Sequence, residues 1–137
     1  MMQYNRLGKS NLKVSALCLG TMMFGDQTGI DEARQIVAAA AANGINFIDT
    51  ADVYKNGASE EMVGKLLQGT RHDWVVATKL GNAMGQGPNQ GQYSRNWMLR
   101  GLEQSLCAWG WIMSTSCTCI AIILEPIWKK RYRLWAI

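Results

Sequence analysis

Three short apolar runs, residues 15–20, 45–49 and 74–79, are each followed by a stretch with helical periodicity. This alternation constrains the fold more than any other feature of the chain. Runs of five or six apolar residues suit strands covered on both faces. Strands that alternate with helices predict a parallel sheet with right-handed crossovers.

The helical stretches have recognisable ends. Asp31 and Glu32 open the first at the positive end of its dipole, and it runs through Ala42. Ile36, Val37 and Ala40 form its apolar stripe, and Asn43 with Gly44 stops it. Ser59 is the expected N-cap of the second, which starts near Glu60 and buries Met62, Val63, Leu66 and Leu67 before Gly69. Ser94 caps a third, Arg95 to about Leu106, with Met98, Leu102 and Leu106 on one face. Tyr4 to Leu7 and Leu12 to Val14 read as a hairpin turned through residues 8–11. Residues 81–92, rich in Gly, Asn and Gln, read as loop. The order is therefore hairpin, then βαβαβα, and it fits either an open doubly wound sheet or a (β/α)8 barrel.

Two phosphate-binding signatures are excluded. Gly8-Lys9-Ser10 lacks the glycine five residues before its Gly-Lys pair, where Gln3 stands. No G-x-G-x-x-G follows the first run, because residues 20–25 read Gly-Thr-Met-Met-Phe-Gly. Cys18, Cys107, Cys117 and Cys119 show no C-x-x-C spacing and His72 is the lone histidine, so no metal site is expected. The first residues lack an apolar leader core, which leads to an expected cytoplasmic location with free thiols. With 48% hydrophobic and 18% charged residues, a soluble core is within reach. The net charge of +4 is uneven: residues 1–106 carry ten Lys/Arg against nine Asp/Glu, and residues 107–137 carry four against Glu125. A short basic tail explains this without a nucleic-acid partner.

Chemistry concentrates at strand ends. Asp49 ends the second run, Lys79 ends the third, and Tyr54 follows Asp49 by five residues. Parallel α/β folds build their sites at this edge. A lysine there needs a carboxylate partner, and a neighbouring ammonium eases proton loss from a phenol. Asp49, Lys79 and Tyr54 thus form either a proton-donating group or an ion pair tying two strands, with Tyr54 packed alongside.

Residues 44–51 (Gly-Ile-Asn-Phe-Ile-Asp-Thr-Ala), Tyr54, then Gly57-Ala58-Ser59-Glu60 and Gly64 resemble the signature region of the aldo-keto reductases. Arg6-Leu7-Gly8, Val14-Ser15, Leu19-Gly20-Thr21 and Ala77-Thr78-Lys79 fit the same family, so the resemblance covers residues 3–106 in order. It implies the N-terminal portion of a (β/α)8 TIM barrel, incomplete, with an N-terminal β-hairpin. It also implies an NADP(H)-dependent reductase of small-molecule carbonyl substrates. Tyr54 would be the proton donor, Lys79 would make it a stronger acid, and Asp49 would orient Lys79. Gly20, Thr21 and Met22, with Asp49, would line the nicotinamide end of the cofactor site. Met23, Phe24 and Trp97 would be substrate walls or simply packing. The family's further catalytic histidine, at the end of the next strand, has no counterpart; His72 precedes the third strand and reads as a surface turn.

After Leu106 the family pattern stops. Residues 107–137 hold four of the six Trp and three of the four Cys. A reading-frame shift is the expected cause, with a genuine divergent C-terminus as the alternative. The third base of each codon, joined to the first two of the next, forces Gly across Trp109–Gly110 and Asp across Trp111–Ile112. The other junctions from Leu106 to Ile123 permit Leu-Arg-Leu-Gly-Val-Asp-Tyr-Val-Asp-Ile-Leu-His-Leu-His-Arg-Asp-Tyr, close to what the family shows there. The expected organisation is thus a partial barrel, 1–106, and a non-family tail, 107–137. The uncharged residues 108–124 before Lys129-Lys130-Arg131 form a short candidate membrane span, which their Ser and Thr content disfavours. Against about 250 residues for a whole barrel, this chain is expected to fold poorly alone and to be inactive. The alternatives are a non-enzymatic remnant or a protein whose tail binds a membrane or partner.

Overall fold

The computed structural model describes residues 1–111, 120–124 and 134–136. The chain opens with a hairpin of β1 (Tyr4–Arg6) and β2 (Lys13–Ser15), paired antiparallel with Tyr4 opposite Ser15. Its turn places Gly8 at φ +58°, a conformation that glycine adopts without the steric cost of a Cβ. A five-stranded sheet follows, with β3 (Leu19–Gly20), β4 (Phe47–Asp49), β5 (Val75–Leu80), β6 (Ile120–Leu124) and β7 (Leu134–Ala136) side by side in that order. The first three strands are parallel: Leu19 pairs with Ile48, and Phe47 with Val75. Helices α1 (Ile30–Ala42), α2 (Ala58–Leu66) and α3 (Arg95–Ala108) connect or follow them.

The hairpin tethers to the N-terminal end of β4. Tyr4 Oη donates to Gly44 O at 2.8 Å, and Ser15 N donates to Asn46 Oδ1 at 2.8 Å. It therefore closes one end of the sheet and leaves the other, where strands run out at their C-termini, for the site. The core lies between sheet and helices. Ile48, Val76 and Leu80 from the sheet meet Ala33, Val37 and Ala40 of α1, Val63 of α2, and Leu67 just after it. Ile48 and Leu67 are wholly buried, each contributing roughly 1.5–3 kcal/mol by transfer from water. The helix stripes expected from the sequence face this core, and Met62, Leu66, Met98, Leu102 and Leu106 pack at its margin.

Three details differ from the expectations. The run 15–20 is not one buried strand: Ser15 belongs to the hairpin, Leu17 is exposed, and only Leu19 and Gly20 join the sheet. The backbone turns from one sheet to the other within six residues, a break that apolarity alone does not signal. Ser59 is not a cap: α2 begins at Ala58 after Gly57 (φ +91°), and Ser59 lies inside the helix, fully buried. The third difference is the end of the third helix, expected at about Leu106 and found slightly further on. α3 extends to Ala108, and Trp109 is buried and stacks against Trp111 with ring centres 4.6 Å apart. The Arg71 guanidinium sits 4.1 Å from the Trp111 ring centre. Gly64 faces the Trp109 backbone so closely that a Cβ there would lie 2.5 Å from Trp109 O.

β6 pairs parallel with β5, Val76 opposite Ile120 to Leu80 opposite Leu124, as the fourth strand of a barrel would. β7 pairs antiparallel with β6 and breaks the strand–helix alternation. Among the described residues the sheet is open, with β3 at one edge. No helix among them is long and apolar enough to cross a membrane; of the candidate span 108–124, residues 112–119 lie outside the described residues and 120–124 form a strand.

Candidate active site

Lys79 is the centre of the C-terminal edge. Alternation along β5 turns Thr78 into the fold, where it is fully buried, while the partly buried Lys79 points the other way. Asp49 stands opposite Ala77, and the pairing continues past β4: Thr50 N donates to Ala77 O at 2.9 Å and Asp52 N to Lys79 O at 3.2 Å. The loop after β4 is therefore laid along β5 and delivers Tyr54 back over Lys79.

The Lys79 ammonium donates to Asp49 Oδ2 at 2.6 Å, to Thr50 O at 2.8 Å and to Tyr54 Oη at 2.9 Å. Its three donors are all engaged. Burial alone pulls this ammonium down, but its bonds to Asp49 and Tyr54 outweigh that and hold it above the ordinary lysine range. The pair is largely screened from water, with 13% of the Lys79 and 25% of the Asp49 side chain exposed. The structure thus brings together the three strand-end residues singled out in the sequence.

Tyr54 begins a tight turn, Tyr54–Gly57, in which Lys55 (φ 50°), Asn56 (φ 53°) and Gly57 (φ 91°) are successively left-handed. Such backbone costs about 1 kcal/mol or more at a residue like lysine, so neighbours must hold it. Lys55 Nζ pairs with Asp26 Oδ1 at 2.7 Å. Beneath the turn, Ser59 Oγ donates to Thr21 O at 2.8 Å and lies within hydrogen-bond distance of the hydroxyls of Thr21 (3.0 Å) and Thr50 (3.1 Å). This clasp ties α2 to the ends of β3 and β4 just below Tyr54.

The other residues singled out in the sequence are distributed as follows. Gly20 and Met22 are exposed, with open space where a Gly20 Cβ would stand. Thr21 is buried, its hydroxyl bound to Asp49 O at 3.0 Å, so it lines the edge by shape and offers no free hydroxyl. Met23 is exposed, whereas Phe24 belongs to the core and Trp97 is buried. Both aromatic rings are packing, not open substrate walls. His72 is exposed in a turn before β5, at the opposite end from Lys79. No group of three His, Cys, Asp or Glu among the described residues could hold a metal. Cys18 is exposed, and its thiol is pushed up to about 12 by desolvation and by Asp49, with Lys79 opposing.

Sequence reasoning missed two buried carboxyls. Glu60 is 2% exposed and accepts from Thr78 Oγ1 at 2.7 Å, and Asp52 is 8% exposed. Asp52 stands between Ala51 and Val53, and that apolar setting was the available signal.

The aldo/keto reductase family model matches residues 16–110 of this chain. The chain belongs to the aldo/keto reductase family. A rice (Oryza sativa subsp. japonica) protein named "Probable voltage-gated potassium channel subunit beta" is 43% identical over 109 residues, covering 77% of this chain and 33% of its own. An uncharacterized oxidoreductase of Bacillus subtilis is 38% identical over 108 residues, 77% of this chain and 34% of its own. Among solved structures, the holo form of an aldo-keto reductase from Bacillus halodurans matches with a TM-score of 0.69 and 38% identity, over 80% of this chain and 37% of that one. A Pseudomonas aeruginosa structure assigned to the aldo-keto reductases matches with a TM-score of 0.74 and 35% identity, over 90% of this chain and 46% of that one. The chain spans about a third of the length of the curated relatives it matches. Its α/β fold is thus part of the family's barrel, and it is not closed among the described residues.

Proposed function

We propose that this chain carries the proton-donating part of an NADP(H)-dependent carbonyl reductase, and that the 137 residues alone turn over little substrate. The observation that supports the site is the three-point anchoring of Lys79 on Asp49, Thr50 and Tyr54. Because Tyr54 Oη accepts from Lys79, its own O–H is left to donate outward. A substrate carbonyl oxygen that gains electron density takes this proton, and the ammonium 2.9 Å away holds the phenolate left behind. Asp49 keeps the ammonium charged and aimed. NADP(H), when bound, supplies the hydride. The residues that would receive its nicotinamide end are Gly20, Thr21, Met22 and Asp49. The exposed, uncharged residues Gly20 and Met22, the former paired with Asp49, suit a planar ring.

Low turnover is supported by the span of about a third of the relatives and by the sequence's lack of a second histidine to stand at the fourth strand end. Residues 107–137 are read as out of frame, a tail without selected function, which makes a non-enzymatic remnant the second reading. A cytoplasmic location is part of the proposal, with Cys18 and Cys107 as free thiols. NADPH oxidation with a panel of aldehydes and ketones tests the activity. Turnover at a rate usual for enzymes, above about 1 per second, refutes the proposed inactivity. Any residual rate that survives Tyr54→Phe unchanged refutes the site. Sequencing the gene through the codons for residues 104–112 tests the frame: an intact frame overturns that part.

A further inference from the structure

Behind the Lys79 anchor lies a second polar cluster that the proposed chemistry leaves unused. Glu60 reaches from α2 to the inward face of β5, where Thr78 Oγ1 donates to it at 2.7 Å. The buried Ser105 hydroxyl of α3 lies near the same carboxyl and has no hydrogen-bond partner among the described residues. Asp52, on the loop that carries Tyr54, is the titratable group acting on Glu60 from that side. Its Oδ1 is buried without a hydrogen-bond partner among the described residues, and the Val53 N–H offers the carboxyl one bond. The ion pairs among the described residues, Lys55–Asp26 and Lys79–Asp49, include neither carboxyl. Two buried carboxyls thus have hydroxyls and one amide for company, and neither joins either of these ion pairs. Such a place suits the neutral acid and opposes the anion.

What these carboxyls adjoin gives them a consequence. Asp52 is two residues before Tyr54, and three left-handed residues follow Tyr54. Asp52 N is bound to Lys79 O, so the carboxyl sits at the seam where the loop lies on β5. We propose that Asp52 and Glu60 form a pH-operated latch on residues 50–58: protonated, they keep the loop seated and Tyr54 against Lys79; ionised, they loosen it. The device is independent of turnover and stands whether or not the reductase reading does.

The sign follows from the protonation equilibria. Burial raises Asp52 from 3.8 to about 6, against the lowering bond from Val53 N. Burial raises Glu60 from 4.5 to about 6, the bond from Thr78 and the nearby Ser105 hydroxyl lower it, and Asp52 raises it further. The seated loop therefore binds protons more tightly than the open one. Seating is favoured on the acid side and weakens as pH rises through about 6. For Glu60 alone the rise corresponds to about a thirtyfold change in the opening equilibrium.

Hydrogen–deuterium exchange of the full chain at about pH 5 and about pH 7.5, corrected for intrinsic exchange, reads the latch directly. Protection of residues 50–58 is expected to fall at least about tenfold at the higher pH and to lie below that of α1 at both pH values, the mark of a local opening. In the Asp52→Asn, Glu60→Gln double variant the loop is expected to lose this pH dependence. Equal protection of the wild-type loop at both pH values overturns the proposal, as does loop protection equal to that of α1 at both, which marks exchange by global unfolding alone. An unchanged pH response in the double variant overturns it as well. Should that variant lose protection throughout, Asp52→Asn alone is read in the same way, and half or more of the wild-type pH response must disappear.

Discussion

Ser59 offers a perturbation whose outcome differs in sign between two readings. As an N-cap, Ser59 would accept replacement by aspartate, an equal or better cap beside the positive end of a helix dipole. The structure instead buries Ser59 completely, with its hydroxyl between Thr21 and Thr50. Ser59→Ala removes three contacts. Thr21 Oγ1 retains its bond to Asp49 O, whereas Thr50 Oγ1 keeps no partner among the described residues. One stranded buried hydroxyl costs about 1–3 kcal/mol, and the lost bond to Thr21 O adds about 1. A loss of about 2–4 kcal/mol is expected. Ser59→Asp forces a carboxylate into the same space without a cation, so it should cost more than alanine does. Urea unfolding followed by tryptophan fluorescence measures both, provided the m-values agree. An aspartate variant as stable as the wild type, or more so, refutes the clasp and restores the cap.

Gly64→Ala places a Cβ 2.5 Å from the Trp109 carbonyl oxygen and 2.6 Å from its Cα. Backbone must move, and the overpacking cost of about 1–3 kcal/mol should exceed the roughly 1 kcal/mol gain in helix propensity; a rise in the urea midpoint would show that Trp109 does not pack there. A double-mutant cycle on Lys79→Met and Asp49→Asn should yield a coupling of about 1–3 kcal/mol that persists in salt, as expected of a mostly covered pair. Coupling abolished by salt would mark an ordinary surface pair. Because Glu60 is raised to about 6, its stabilising contribution is complete below 4.5 and lost as pH climbs through 6. Unfolding free energy should therefore fall by up to about 2 kcal/mol between those limits, and Glu60→Gln should flatten the profile. A profile with stability rising across this window contradicts the buried-acid assignment.

What the sequence made legible follows from the range of the forces involved. Helix stripes and strand runs report local periodicity against a single core. Val37, Ala40, Val63 and Val76 could therefore be assigned inward from spacing, and the structure buries them. Asp49, Tyr54 and Lys79 were legible as strand-end polar residues, but their meeting depends on the loop being bonded along β5, a long-range pairing that no local pattern encodes. Ser59 fails as a cap for a related reason. The same small hydroxyl that terminates a helix also fits a buried junction, and only the approach of Thr21, 38 residues earlier in the chain, decides between them. Glu60 marked only the start of the second helix, where the helix dipole favours an acid. The dipole argument holds at either degree of burial, so it could not reveal that this carboxyl faces Thr78 in the interior. The chain therefore hides its long-range polar contacts in residues with good local explanations, and the Ser59 and Glu60 substitutions separate the two kinds of cause.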